Sequence, residues 1–130
     1  MQEVIDFLKK AGAYFLATAD GDQPRVRAFG TAHVFEDKLY IQTGKSKAVA
    51  QQILANPKIE MYAMVERNTI RITALALEDD RAEAQQSMLD AYPSLAGRYS
   101  VGDGNMVVFY LKDATAIISE GQGDPKVIEF

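Results

Sequence analysis

Between Tyr40 and Pro57 the chain reads YIQTGKSKAVAQQILANP, an apolar strand that turns through glycine, lysine and serine into an alanine-rich helix. That order of residue types suits an anion site. Ser46 is a good N-cap, Gly44 permits a tight turn, and the first-turn N–H groups of a helix starting near Lys47 would point at a negative group set before them. Lys45 and Lys47 add two mobile positive charges. A phosphate held there gains from the helix dipole and from charge-assisted hydrogen bonds, together on the order of a few kcal/mol. A second group of cations precedes the turn. In PRVRAFGTAHVFE (24–36), strand alternation places Val26, Ala28, Gly30, Ala32 and Val34 on one face and Arg25, Arg27, Phe29, Thr31, His33 and Phe35 on the other. Small apolar residues suit the crowded interior of a small barrel, so the arginine face is expected outside. Guanidinium groups grip phosphate bidentately and aromatic rings offer stacking surfaces beside them, so the pattern predicts recognition of a phosphorylated aromatic ligand.

Other chemistries fail on spacing or composition. The GKS ending also occurs in nucleotide-binding P-loops, but that motif needs another glycine five positions before Gly44, where Leu39 stands in an apolar strand. There are no cysteines and one histidine, His33, so disulfides, thiolate ligands, a cysteine nucleophile and a multi-histidine metal site within one subunit are excluded. A net charge of −4 gives no general field for nucleic acid or an anionic membrane, which makes the local basic cluster stand out. With 130 residues and 48% hydrophobic content, one compact domain spanning 1–130 is expected. The start, MQEVIDFLKKAG, lacks the basic and apolar regions of a secretory signal, and no apolar run approaches a membrane span, so a cytoplasmic protein is expected.

The positioning elements follow from periodicity. Val4, Ile5, Leu8 and Ala11 followed by Gly12 predict a helix over 2–11. Strands are predicted at 13–19, 24–36 and 38–43, then a helix from about Ser46 to Ala55, closed by Asn56-Pro57. Two more strands, 58–65 and 69–78, flank a hairpin turn at 66–68. Asp79 and Asp80 open a further helix with Ala84, Met88, Ala91 and Tyr92 on one stripe, a solvated acidic start and Pro93 at its end. A glycine-containing loop over 94–105 leads to a last strand pair, MVVFYLKD and ATAIISE, and a tail. Tyr40, Tyr62 and Tyr110 alternate with apolar neighbours and read as packing residues with bonded hydroxyls. Adjacent strands with short turns exclude parallel crossovers. The fold class expected is α+β, a mainly antiparallel barrel or strongly curled sheet of about six strands flanked by two to three short helices.

The stretch YFLATADGDQPRVRAFGTAHVFEDKLYIQTGKSKAVAQQILANPKIEMYAMV resembles the pyridoxamine 5'-phosphate oxidase-like, FMN-binding split-barrel proteins. It carries, in family order, a strand ending in LAT, a P-x-V-R strand, a Y-x-x-T-x-x-S-K turn and an N-P-K helix end. The resemblance implies a homodimer holding FMN in clefts between subunits, with a small-molecule substrate or electron donor. The phosphate would be held by Arg25 or Arg27, Thr43, Ser46 and Lys47. The backbone of Val26, Arg27, Ala28 and Phe29 would run beside the isoalloxazine, and Thr69 and Arg71 of the partner would complete the cleft. Two local departures are Ala28, where many relatives have proline, and Asn68-Thr69, where some have an aromatic. No catalytic side chain is assigned, because flavin carries the hydride chemistry and His33 is not needed for it. The implied activity is that of an FMN-dependent oxidoreductase distinct from a typical pyridoxamine phosphate oxidase, whose C-terminal substrate residues have no counterpart here. A flavin-binding electron carrier, or an empty barrel serving as a binding protein, is the alternative. Related barrels also hold a deazaflavin or haem.

Overall fold

One antiparallel sheet carries most of the chain and curls until its two edge strands are neighbours in sequence. The computed structural model describes residues 1–130. In order they form α1 (Gln2–Ala11), β1 (Tyr14–Asp20), β2 (Gln23–Phe29), β3 (His33–Phe35), β4 (Lys38–Gly44), α2 (Ala48–Ala55), β5 (Lys58–Val65), β6 (Asn68–Glu78) and α3 (Ala82–Ala91). A 3-10 turn (Pro93–Gly97), β7 (Met106–Ser119) and β8 (Lys126–Glu129) complete the chain. The strand order is β2-β1-β5-β6-β7-β4-β3, with β8 added to β7. This is the expected α+β split barrel, with eight strands rather than six. It closes through the segment Gly30–Ala32, because β2 and β3 pair with β1 and β4 and not with each other.

The first helix forms as its spacing dictates. Val4, Ile5 and Leu8 are buried on one stripe, and Gly12 ends the helix at φ 78 with its N–H donating to Leu8 C=O. Only glycine adopts that backbone without strain. The larger hydrophobic cluster, including Leu16, Ile41, Met61, Ile72 and Phe109, fills the barrel. A smaller one, with Tyr40, Met88, Leu95, Tyr99 and Val108, lies under α3.

Four local expectations are corrected. The predicted strand 24–36 is two strands, since the chain must leave one sheet edge at Phe29 and join the other at His33. Its faces are also reversed in β2: Val26 is 69% exposed and Ala28 is exposed, while Arg27 and Phe29 are half-buried. Polar partners beneath α2 and the Tyr14 ring, 6.0 Å from that of Phe29, outweigh simple hydropathy there. The predicted strand pair 106–120 is one bent strand, β7, whose register against β6 shifts between Thr73 and Leu75, with Asp113 at φ 52. A short polar side chain tolerates that left-handed position, so the LKD sequence makes a bulge and not a turn. Finally, Ser46 is not the N-cap. Helix α2 starts one residue later on Lys47 without a side-chain cap, because Ser46 N–H is held by Asn105 Oδ1 at 3.0 Å. The role of Gly44 follows from the same contact: a Cβ there would lie 3.0 Å from Tyr99 Oη and 3.1 Å from Asn105 Nδ2.

A cleft at the barrel seam

The seam between β2 and β3 is where ladder hydrogen bonds run out, and side chains replace them. The β3–β4 register pairs His33 with Tyr40, which places Thr31 opposite Gln42. There Thr31 Oγ1 accepts from Gln42 N–H at 3.0 Å and donates to Gln42 C=O at 3.4 Å, standing in for one more rung. Tyr14 Oη donates to Thr31 C=O at 2.6 Å. Ala32, only 3% exposed, has both backbone groups satisfied by one phenol, accepting from Ala32 N–H at 3.0 Å and donating to its C=O at 2.9 Å, that of Tyr92. Tyr92→Phe is therefore expected to cost about 1–3 kcal/mol in urea unfolding, the penalty for an orphaned buried donor. An unchanged midpoint would show that solvent reaches the seam.

Beside these contacts opens a cleft of about 350 Å³, within the range of small-molecule sites. Its cations are Arg27, Lys47 and Arg98, and no carboxylate lines it. Lys47 and Arg98 take part in no ion pair. Arg27 is pinned by hydrogen bonds to Thr18 Oγ1 at 2.7 Å and Gln52 Oε1 at 2.8 Å, with Thr18 itself donating to Gln52. Burial first, and the charge of Arg25 second, lower the Arg27 pKa, as expected for a cation lacking a counter-charge. The Thr43 hydroxyl makes no hydrogen bond within the chain, and the first-turn amides of Ala48 and Val49 find no acceptor. The arrangement offers converging donors to an anion.

The cleft brings together Arg27, Ala28, Phe29, Thr43 and Lys47 of the residues singled out in the sequence. It does not include Arg25, Val26, Ser46, Thr69 or Arg71. Arg25 pairs with Asp20 at 3.2 Å in solvent, and Ser46 is exposed. Val26 points from the opposite face of β2. Arg71, on β6, pairs with Glu60 at 2.9 Å and lies over the Tyr62 ring. Lys45 is engaged by Glu78 at 3.0 Å, which leaves Lys47 as the free lysine of the turn. Sequence reasoning missed Arg98, Tyr92 and Tyr99, which reach the cleft from the end of α3 and the segment after it. Tyr92 showed only as one more apolar stripe position, and nothing in the spacing of 94–105 marks Arg98. His33 does not line the cleft; its Nε2 is 2.6 Å from Ser87 Oγ. No group of three or more His, Cys, Asp or Glu side chains is placed to hold a metal ion.

A curled antiparallel sheet with a cationic cleft at its open seam defines a split-barrel protein, and the chain belongs to the pyridoxamine 5'-phosphate oxidase family, whose model matches residues 1–118. Among solved structures it is similar over its full length, and over 92% of the other chain, to a NimC/NimA family protein from Clostridium acetobutylicum, at 38% identity and a TM-score of 0.96. General Stress Protein 26 from Bacillus anthracis matches at 16% identity and a TM-score of 0.76, with 99% of this chain and 97% of that one covered. A heme binding protein from Mycobacterium smegmatis matches at 14% identity and a TM-score of 0.72, covering 98% of this chain and 56% of its own. The last two likenesses concern the fold alone. No curated protein matches significantly. No helix is long and apolar enough to cross a membrane.

Proposed function

We propose that residues 1–130 form a single FMN-binding split-barrel domain that acts, as a homodimer, as an oxidoreductase on a small substrate. The observation that carries this reading is the cleft with three cations and no carboxylate, in a chain whose net charge is −4. Lys47, Arg98, the Thr43 hydroxyl and the amides of Ala48 and Val49 would hold the phosphate. Arg27 and Phe29 would border the flavin body, with the backbone of β2 alongside. When bound, FMN supplies hydride and electron transfer through its ring, between a donor such as NAD(P)H and a small acceptor. The protein's share is to bind, orient and shield. The single histidine lies outside the cleft, bonded to Ser87, which favours flavin over haem.

The dimer is supported by the outer face of the sheet. Register aligns Ala28, Phe15, Tyr62, Arg71, Ile117 and Val127 in one row across six strands. Phe15, Val26, Met64 and Val127 are each more than half exposed, an apolar surface a second copy would cover. Val26, Thr69 and Arg71 lie on this face, so their absence from the chain's own cleft accords with a role across the interface.

A visible spectrum of the purified protein, followed by FMN titration, tests the reading. Yellow protein, or saturable uptake of added FMN, is expected, and Lys47→Ala is expected to weaken affinity about tenfold through loss of one charge-assisted bond. Ser46→Ala should leave affinity near the wild-type value. A colourless chain that ignores FMN returns the empty barrel. Flavin that NAD(P)H fails to bleach anaerobically returns the carrier, and a sedimenting monomer with full FMN affinity removes the shared cleft.

A further inference from the structure

Three successive amides of the turn over 44–47 already have acceptors, and one distant residue supplies two of these. Lys45 N–H donates to Asn105 C=O at 2.6 Å, Ser46 N–H to Asn105 Oδ1 at 3.0 Å, and Lys47 N–H to Gly44 C=O at 3.0 Å. The next two, Ala48 and Val49, are the amides left for an anion. Asn105 is itself fixed. Asp103 Oδ1 accepts from the N–H groups of Asn105 at 2.8 Å and Met106 at 2.7 Å, Asp103 Oδ2 accepts from Ser100 N–H at 3.0 Å, and Gly102 N–H donates to Gln85 Oε1 of α3 at 3.0 Å. The segment that brings Arg98 and Tyr99 to the cleft thus continues into a hydrogen-bonded loop that grips the turn. Ser46 makes this grip matter. Were it the cap of α2, its hydroxyl would accept from the N–H of the second or third helical residue, here Ala48 or Val49. Those are the same two amides. A self-capped turn and an anion-ready turn therefore exclude each other, and with Ser46 N–H drawn to Asn105 the helix starts at Lys47 with no side-chain cap.

We propose that Asn105 is a positioning residue of the anion site, holding Ser46 off the start of α2 so that the Ala48 and Val49 amides stay open to a phosphate. The inference rests on the anion site proposed above and not on the flavin, and inorganic phosphate is the probe that separates the two. In NMR titrations of the full chain, Asn105→Ala is expected to weaken phosphate and FMN about tenfold each, as the released Ser46 takes an amide they need. Adding Ser46→Ala to that variant should restore affinity to within about threefold of wild type, although Ser46→Ala alone changes little. A loop that only supports the fold gives no such rescue. Amide exchange without ligand reads the same competition. Ser46 N–H should lose protection in Asn105→Ala and keep it in Asn105→Asp, which retains the acceptor; Ala48 or Val49 N–H should gain protection in Asn105→Ala and lose it in the double variant. Phosphate that follows this pattern in a chain that ignores FMN removes the flavin reading and leaves the role of Asn105 standing. Unchanged phosphate affinity in Asn105→Ala, a double variant no tighter than the single one, or a wild type that binds no phosphate overturns the proposal.

Discussion

Replacing Arg27 by methionine is expected to weaken FMN binding by about 10–100-fold, equivalent to losing one or two hydrogen bonds from a charged donor, while stability without ligand stays within about 1 kcal/mol. The two effects separate because this guanidinium is a half-buried cation with no carboxylate beside it. Its bonds to Leu16 C=O, Thr18 and Gln52 favour the folded state, whereas its desolvation and the nearby Arg25 oppose it. Methionine keeps the stem's packing and removes the uncompensated charge, so the folding terms largely offset each other. Only an anion in the cleft benefits from the charge. Urea unfolding with and without FMN checks both halves: the ligand-induced rise in midpoint should shrink in Arg27→Met. Undiminished FMN affinity would remove Arg27 from the site, and a collapse without ligand would make its hydrogen bonds structural.

Asp79→Ala is expected to lower stability by about 2–4 kcal/mol at neutral pH: roughly 1–3 for the orphaned Tyr40 phenol and about 1 for the lost backbone bond. Asp79, 9% exposed, accepts from Tyr40 Oη at 2.7 Å, from Arg81 N–H at 3.1 Å and from the Arg81 guanidinium at 2.8 Å, which also reaches Glu36. Tyr40 is 1% exposed and has no other acceptor for its hydroxyl, whose pKa is pushed up to about 12, by burial first and then by Asp79, with Arg81 opposing. The guanidinium of Arg81, above all, holds the Asp79 carboxyl well below the usual carboxylate range, with Tyr40 assisting and burial opposing. A depressed folded-state pKa contributes stability that is fully present above the unfolded value near 4 and is lost as pH falls through the folded one. The gap between wild type and Asp79→Ala should therefore narrow on titration from pH 7 to below about 3. A gap independent of pH would assign the whole effect to packing.

These two residues also mark what could be foreseen. Residue periodicity revealed α1, the β5–β6 hairpin and the curled antiparallel class, because each depends on neighbours a few positions apart. Asp79 read as a solvated helix start, since its partner Tyr40, and the Glu36 that shares Arg81 with it, lie about forty positions away. The same limit hid Arg98 and made Ser46 look like a cap, for nothing local reveals that Asn105 takes its amide. Arg27 was singled out by its residue type, yet its inward facing was not foreseen. Alternation tells which residues share a face of β2 and leaves open which face meets Thr18 and Gln52.

The closure of the barrel through Gly30–Ala32 bears on its evolvability. Of 79 backbone hydrogen bonds, 60 lie inside helices and strands, whereas the seam is bridged by the side chains of Thr31 and Tyr92. Apart from Thr31 and Tyr92, side chains lining such a gap can be exchanged without removing a bridge or a rung, so the demands of folding and of recognition fall largely on different positions. New ligands can be acquired there while the architecture is inherited intact.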